Sequence, residues 1–212
     1  DWRPALLGAL LLIVSPRFFA ESFFNSKDIV FMSFFALAMM TMMRFLAEPG
    51  VRTAALHAFA TGLAIDVRIM AVMILAATLA VLSVKALKGE AAIKSVSVLA
   101  AMYLSLTAIT VIIFFPFLWA DPVGNIVQAF QSMSRFGRWG GEILYLGEHV
   151  SGYEIPWHYV PIWVGITTPP LYLVFFFFGG GIALWQGMRS GFRLWGDTGE
   201  MQDLVSLGLV VV

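Results

Sequence analysis

The sequence predicts an all-α fold: a polytopic transmembrane helical bundle with short outer loops and one amphipathic interfacial helix. Three observations predict it. Hydrophobic residues make up 60% of the 212 residues, and charged residues make up only 12%, about half the share of a soluble domain. The apolar residues also fall into long runs, and about 20 consecutive apolar residues cross the hydrocarbon core of a bilayer as one helix.

Six spans and the beginning of a seventh can be placed along the chain. In order, they cover residues 4–15, 29–47, 53–65, 69–85, 95–119, 158–187 and 204–212. Arg44 lies near the end of the second span, where a long side chain can reach the interface. Because the chain begins without methionine and ends inside an apolar run, we expect residues 1–212 to be a single transmembrane domain truncated at both ends.

The segment 54–84 allows two interpretations. As one helix it would be about 46 Å long, which exceeds the bilayer core and would place Asp66 and Arg68 at mid-membrane. We predict instead a break at Asp66–Arg68 with a short helix on each side, and the distribution of lysines and arginines favours this topology. In it, three segments meet on the outer side: residues 16–28, the turn at 66–68 and a long loop over 117–157.

The stretch before the second span brings Arg17, Lys27 and Asp28 into one short loop. Helix capping explains part of this pattern, because Asn25 or Ser26 can cap the helix and the helix dipole favours Asp28 in the first turn. Charges beside the membrane core are costly, however, and indicate a functional site. A basic side chain there can hold a phosphate, and a carboxylate can orient or deprotonate a hydroxyl.

The turn Asp66–Val67–Arg68 is either a solvated surface pair or a second part of that site. In the second interpretation Arg68 makes a bidentate contact to a phosphate, which a guanidinium does better than an ammonium. The sequence leaves both interpretations open.

The long outer loop contains a predicted helix and a set of polar residues. Apolar residues recur at helical spacing from 125 to 136, which predicts an amphipathic helix that packs against the spans or lies on the membrane surface. Arg138 and Glu142 follow among glycines, and His158 lies among aromatic residues. Ordered loops of this length are typically functional, although the aromatic residues also fit an interfacial belt.

No cofactor is expected from the sequence. The three histidines show no metal-binding spacing, and the chain has neither a P-loop nor a GxGxxG motif. The lack of cysteine excludes disulfides and thiolate metal sites, whereas a divalent metal remains an open alternative. A formal net charge of zero gives no basic patch for nucleic acid.

Three stretches resemble the glycosyltransferase C superfamily, especially its protein O-mannosyltransferase and aminoarabinose-transferase-like members. WRPALLGALLLIVSPRFFAESFFNSKDIVFMSFFALAMMTMMRFL resembles a span, a short outer loop and an aspartate at the head of the next span. GLAIDVRIMAVMIL resembles the hairpin that follows, and PWHYVPIWVGITTPPLYLVFFFFGGGIAL resembles the re-entry of an outer loop into the membrane. The resemblance covers nearly the whole chain.

This resemblance implies transfer of a sugar, such as mannose, from a polyprenyl-phosphate donor to a protein, lipid or glycan hydroxyl. The reaction would take place on the outer or lumenal face of a bacterial inner membrane or an endoplasmic reticulum membrane. Asp28 would be a supporting acid, with the principal base expected upstream of Asp1. The residues expected to bind the substrate are Arg17, Lys27, Asp66, Arg68, Arg138, Glu142 and His158.

Two other classes of protein remain as alternatives. A transporter or flippase of lipid-linked or small polar substrates would show ionisable residues within spans and discontinuous helices at the bilayer midplane. A non-catalytic membrane scaffold would tolerate the loss of Lys27 and Asp28. The charges in this sequence collect in the predicted outer loops, which favours the transferase.

Overall fold

The computed structural model describes residues 2–87, 92–134 and 141–189, together with Gly208. Within these residues the chain forms nine α-helices, two short 3₁₀ helices and one β-hairpin, so the all-α prediction is confirmed at the level of fold class. The predicted last span over 204–212 and the candidate residue Arg138 lie outside the described residues. The chain divides into two compact units, Asp1–Val123 and Gly124–Val212.

The first unit contains six α-helices. They are α1 (Trp2–Val14), α2 (Pro16–Phe24), α3 (Asp28–Ala47), α4 (Val51–Val67), α5 (Val72–Leu87) and α6 (Ile93–Phe114). The two 3₁₀ helices, Ile69–Ala71 and Pro116–Leu118, follow α4 and α6. These bounds include helix in 16–28, a segment that the sequence analysis treated as loop.

A new helix begins at Pro16 because two local signals favour it. The Ser15 side chain accepts a hydrogen bond from the backbone N–H of Phe18 at 3.5 Å, and Pro16 occupies the first helical position, where its fixed φ angle is favourable. The segments Ala5–Val14 and Pro16–Phe24 meet at an angle of 63°. The polar residues before Asp28 are therefore presented by a short helix and the turn after it.

α4 packs between α3 and α6 and forms the core of the first unit. Most of its buried residues are small: Ala54, Ala58, Ala60, Thr61, Gly62 and Ala64. Small residues let helix backbones approach closely. At Gly62, α4 and α6 approach so closely that an added Cβ atom would lie 2.6 Å from Cβ of Thr110 on α6.

The chain breaks where the sequence predicts it, between α4 and α5. α4 ends at Val67, and Arg68 is extended, with φ −147° and ψ 124°. The 3₁₀ helix Ile69–Ala71 then leads into α5. The alternative of one continuous helix over 54–84 is therefore wrong.

The second unit consists of α7 (Pro122–Ser134, of which the first two residues belong to the first unit), a β-hairpin, α8 (Tyr159–Thr167) and α9 (Pro170–Arg189). The helix predicted over 125–136 corresponds to α7. The predicted span 158–187 consists of two helices, α8 and α9. They separate at Thr168–Pro169, because a proline disfavours helical geometry in the preceding residue and has no N–H to donate.

The hairpin lies inside the region predicted as loop. Its strands are β1 (Glu142–Tyr145) and β2 (Glu148–Ser151), which pair antiparallel. Leu146 and Gly147 connect them, with φ angles of 51° and 92°. Two central residues with positive φ are typical of a tight hairpin turn, and four-residue strands are too short to give a clear alternation in the sequence.

Four helical segments among the described residues are long and apolar enough to cross a membrane. They are Asp28–Ala47, Ile69–Leu87, Ile93–Phe114 and Pro170–Arg189. The bent pair formed by Ala5–Val14 and Pro16–Phe24 gives a fifth if it is counted as one span. Such helices are compatible with a membrane protein.

Candidate functional site

An ion pair joins the start of α3 to the end of α4. The guanidinium of Arg68 donates from Nη2 to the Asp28 carboxylate through Oδ1, although the two residues are forty positions apart. Asp28 is the first residue of α3, and Arg68 directly follows α4. Because α3 and α4 pack against each other in opposite directions, these two ends lie side by side. The structure thus brings two of the predicted site residues together.

Asn25 holds the second oxygen of the same carboxylate. Its Nδ2 donates to Oδ2 of Asp28 at 2.6 Å. Its own carbonyl oxygen accepts from the backbone N–H of Asp28 at 2.9 Å and of Lys27 at 3.3 Å. Lys27, rather than the predicted Asn25 or Ser26, occupies the N-cap position of α3, and Asn25 ends α2. From there the Asn25 side chain accepts from the first N–H of α3 and orients Asp28 toward Arg68.

Asp66 lies at the end of α4, two residues before Arg68. Both carboxylate oxygens are shielded from solvent and have no hydrogen-bond partner among the described residues, and the same holds for Nε of Arg68. A buried polar group without a partner is costly, and an ionised one is more costly still. These atoms are therefore the polar atoms of the cluster whose hydrogen bonding the described residues leave unsatisfied.

The two other cations predicted for this region are on its surface. Lys27 immediately precedes α3 and is exposed, and Arg17 is exposed on α2. The carboxylates of Asp28 and Asp66 balance Lys27 and Arg68 in formal charge. An anion that binds to Arg68 must therefore share the guanidinium with Asp28 or displace it.

The candidate residues of the second unit form two separate contacts. Glu142 and His149 lie diagonally across the hairpin, since Glu142 pairs with Ser151 and His149 with Leu144. The distance between Oε2 and Nδ1 is 3.5 Å, and both side chains are exposed. His158 contacts the buried Tyr145, whose hydroxyl lies 2.5 Å from Nδ1 of His158. The Tyr145 ring also packs against Tyr159 at 5.1 Å. His158 thus anchors the hairpin to the start of α8.

A buried polar network surrounds His57, and the sequence did not predict it. This histidine is fully buried in α4, and its ring stacks on Tyr103 with 4.7 Å between the ring centres. Threonine hydroxyls lie near both of its ring nitrogens. Its partners are far apart in sequence, and the one local signal is Thr61, one helical turn after His57.

No group of three histidine, aspartate, glutamate or cysteine side chains that could hold a metal ion occurs in the described part of the chain. Asp28, Asp66 and Arg68 themselves offer hydrogen bonding and charge stabilisation.

Models of known protein families, curated proteins and solved structures give no significant match to this chain. The fold and the site define a helical protein with several membrane-compatible helices and a polar cluster where two of its helices meet.

Proposed function

We propose that this chain is part of an integral-membrane glycosyltransferase that takes a sugar, such as mannose, from a polyprenyl-phosphate donor. The acceptor would be a hydroxyl of a protein, lipid or glycan. The Asp28–Arg68 pair carries the proposal, since it places a guanidinium and a carboxylate at the ends of two packed helices. The four long apolar helices and the sequence resemblance support a multi-pass membrane protein of this class.

The donor's phosphate would bind at Arg68. A lipid phosphate lies at the headgroup level, where the ends of spanning helices also lie. Arg68 is 36% exposed in its side chain, so it can reach a phosphate without a rearrangement of the helices. A guanidinium binds phosphate through two parallel hydrogen bonds. Lys27, exposed beside Asp28, would supply a second positive charge.

The carboxylates would organise the sugar and the acceptor. Once Arg68 turns to the phosphate, Asp28 keeps its bond from Asn25 and has one oxygen free to accept from a hydroxyl. Asp66 offers two further acceptor atoms without partners among the described residues. In the reaction, the acceptor oxygen bonds to the anomeric carbon and the carbon–oxygen bond to the phosphate breaks. The phosphate leaves with the electron pair, and a general base takes the hydroxyl proton.

Positive charge around the leaving phosphate stabilises the transition state more than the ground state. Arg68 would supply this stabilisation, because the backbone break after α4 places its side chain at the helix ends beside Asp28. Glu142 and His158 belong to the second unit, and substrate binding by them stays a prediction from the sequence. The Tyr145 contact of His158 indicates a structural task for that residue as well.

The experiment compares Arg68, directly after the end of α4, with Arg52, near its start. The chain is placed in lipid nanodiscs with farnesyl-phosphate mannose, and binding of this short donor is measured by native mass spectrometry. Arg68→Gln should abolish binding. Arg52→Gln, at the opposite end of the same helix, should leave binding unchanged. Equal binding by both variants would exclude Arg68 from the site and remove the observation on which the proposal rests.

A lipid-linked-sugar flippase is the second candidate function. The discontinuous helices favour it, because α1 and α2 meet at 63° and the chain breaks again between α8 and α9. The same donor in sealed vesicles distinguishes the two. A flippase moves the intact lipid between leaflets without an acceptor, whereas a transferase releases polyprenyl phosphate only when an acceptor hydroxyl is supplied.

A further inference from the structure

The polar network around His57 ties three helices to α4. His57 Nδ1 lies 3.1 Å from the hydroxyl of Thr41 on α3, and Nε2 lies 2.9 Å from the hydroxyl of Thr78 on α5. Tyr103 of α6 donates to Thr61 at 3.2 Å, and the Thr61 hydroxyl lies 3.4 Å from Nδ1. His57, Thr61, Thr78 and Tyr103 are all buried.

The hydroxyl partners of His57 also donate to carbonyl oxygens of their own helices. Thr78 donates to the carbonyl oxygen of Ile74 at 2.8 Å, and Thr41 donates to that of Ala38 at 3.0 Å. Because this holds on both sides of the ring, either ring nitrogen of His57 can donate to its threonine oxygen. A buried charge without a counter-ion is very costly, so the ring is neutral and one of its two nitrogens carries the proton.

The network continues from α6 through α4 to α5. The Tyr103 hydroxyl donates to Thr61, whose hydroxyl lies beside Nδ1 of His57. Nε2 of His57 bonds to Thr78, which donates to the backbone of its own helix. Every member of the network has a partner, and a fully satisfied buried network favours one arrangement of its helices.

The network and the Asp28–Arg68 pair are two contacts between the same antiparallel helices. Thr41 lies 13 residues after Asp28 on α3, and His57 lies 11 residues before Arg68 on α4. At about 1.5 Å per residue, these separations are about 20 and 17 Å along the two helices. Both contacts therefore require nearly the same axial register of α3 against α4.

The small residues of α4 make such a register contact necessary. Alanine and glycine allow a close approach, but alanine side chains of similar size recur along α4 and select no single axial position. A buried polar residue can select one register where apolar packing allows several. His57 supplies this selection, because only one axial position brings Thr41 and Thr78 to its two nitrogens.

We infer that His57 is a positioning residue: as a buried neutral ring bonded to Thr41 and Thr78, it fixes the register of α3 and α4 and thereby brings Asp28 to Arg68. His57 acts through the helices, since it is fully buried and has no contact with the ion pair. This inference concerns helix packing and is independent of the proposed sugar transfer.

The first test examines the charge of the His57 ring. The chain is labelled with ¹⁵N-histidine, and the two-bond ¹⁵N–¹H correlations of its three histidines are recorded in nanodiscs. The signal lost in His57→Phe assigns His57. We expect the pattern of a neutral ring with one protonated nitrogen, and a charged ring would contradict the buried neutral network.

The second test measures the register itself. The chain has no cysteine, so Val30→Cys near the start of α3 and Met70→Cys beyond α4 can carry two spin labels at exposed positions. Electron–electron distances in nanodiscs should form one narrow distribution in the parent chain. In His57→Phe the distribution should broaden or split, because a slip of one helical turn is about 5.4 Å.

The control variant is Ile74→Ala, which removes a buried side chain from α5 but leaves the hydrogen bonds of the network. It should lower the melting temperature and leave the distance distribution unchanged. If His57→Phe fails to fold, Thr41→Val and Thr78→Val each remove one partner and should broaden the distribution. An unchanged distribution in these variants, with only a lower melting temperature, would show that the network stabilises the unit without setting its register.

Discussion

The Asp28 carboxylate, at the start of α3, receives a hydrogen bond on each oxygen, one from Arg68 and one from Asn25. The ion pair is substantially exposed, with 36% of the Arg68 side chain and 51% of the Asp28 side chain accessible. Exposed pairs contribute about 0–1 kcal/mol to stability. The geometry of this pair is therefore more informative about position and charge than about the stability of the fold.

Substitution of Asp28 should have a small effect on stability. Asp28→Asn removes the charge of the pair and should lower the free energy of unfolding by less than about 1 kcal/mol, because water and salt already screen an exposed pair. Thermal unfolding in detergent, followed by circular dichroism, measures the change. A loss well above that amount would mean that the carboxylate is less accessible than the structure shows.

Asn25 bonds both the backbone N–H and the carboxylate of Asp28, and two variants separate these effects. Asn25→Ala should cost about 1 kcal/mol, because the first N–H groups of α3 lose their acceptor. Asn25→Asp keeps the acceptor but places a second negative charge beside Asp28, and it should weaken binding of the phosphate donor more than it lowers the melting temperature. Equal effects of both variants on binding and melting would contradict the second role.

Gly62 and Gly8 should respond oppositely to the same substitution. Gly62→Ala introduces a Cβ atom 2.6 Å from Thr110, so the helices must separate, at a cost of about 1–3 kcal/mol. Gly8→Ala in α1 meets nothing within 4 Å and should stabilise that helix by about 0.5–1 kcal/mol. Chemical or thermal unfolding of both variants measures the difference, and destabilisation of equal size at both positions would contradict the close approach of α4 and α6.

Lys85 satisfies a carbonyl at the end of α3. Its Nζ donates to the backbone oxygen of Leu46 at 2.5 Å, where the helix dipole favours a positive charge. Lys85→Met should therefore cost about 1 kcal/mol in unfolding free energy. Lys94→Met, an exposed lysine at the start of α6, is the matched control and should be neutral.

The Tyr145 hydroxyl should control the protection of the hairpin. Tyr145→Phe keeps the ring contacts with His158 and Tyr159 but removes the hydrogen bond to His158. Hydrogen–deuterium exchange over 142–151 should become faster, with little change in α9. Leu144→Ala, at an exposed position of the same strand, should leave the exchange rates unchanged.

Local signals in the sequence were sufficient to predict several features of the first unit. The length of 54–84 required a break, and charged residues at Asp66 and Arg68 placed it correctly. The start of α3 at Asp28 was close to the predicted one, although Lys27 rather than Asn25 or Ser26 is the N-cap residue. These features depend on residues within one or two turns of each other, and such interactions are visible in a sequence.

Other features depend on contacts between distant segments and could not be predicted. The partners of His57 are 16, 21 and 46 positions away at Thr41, Thr78 and Tyr103, so a single histidine in an apolar helix gave no indication of them. The hairpin was missed because its strands have four residues each. The function of Asp66 and Arg68 as sugar and phosphate ligands remains a prediction.

The composition of α4 has a consequence for biogenesis. Its 17 residues keep it out of the set of helices that are long and apolar enough to cross a membrane unaided, and it buries a histidine and several small side chains. During synthesis in a membrane, α4 would therefore depend on α3, already inserted before it, and on α6 after it to cover its polar and small residues. Truncation of the chain before α6 should leave α4 poorly inserted and expose it to quality-control proteases.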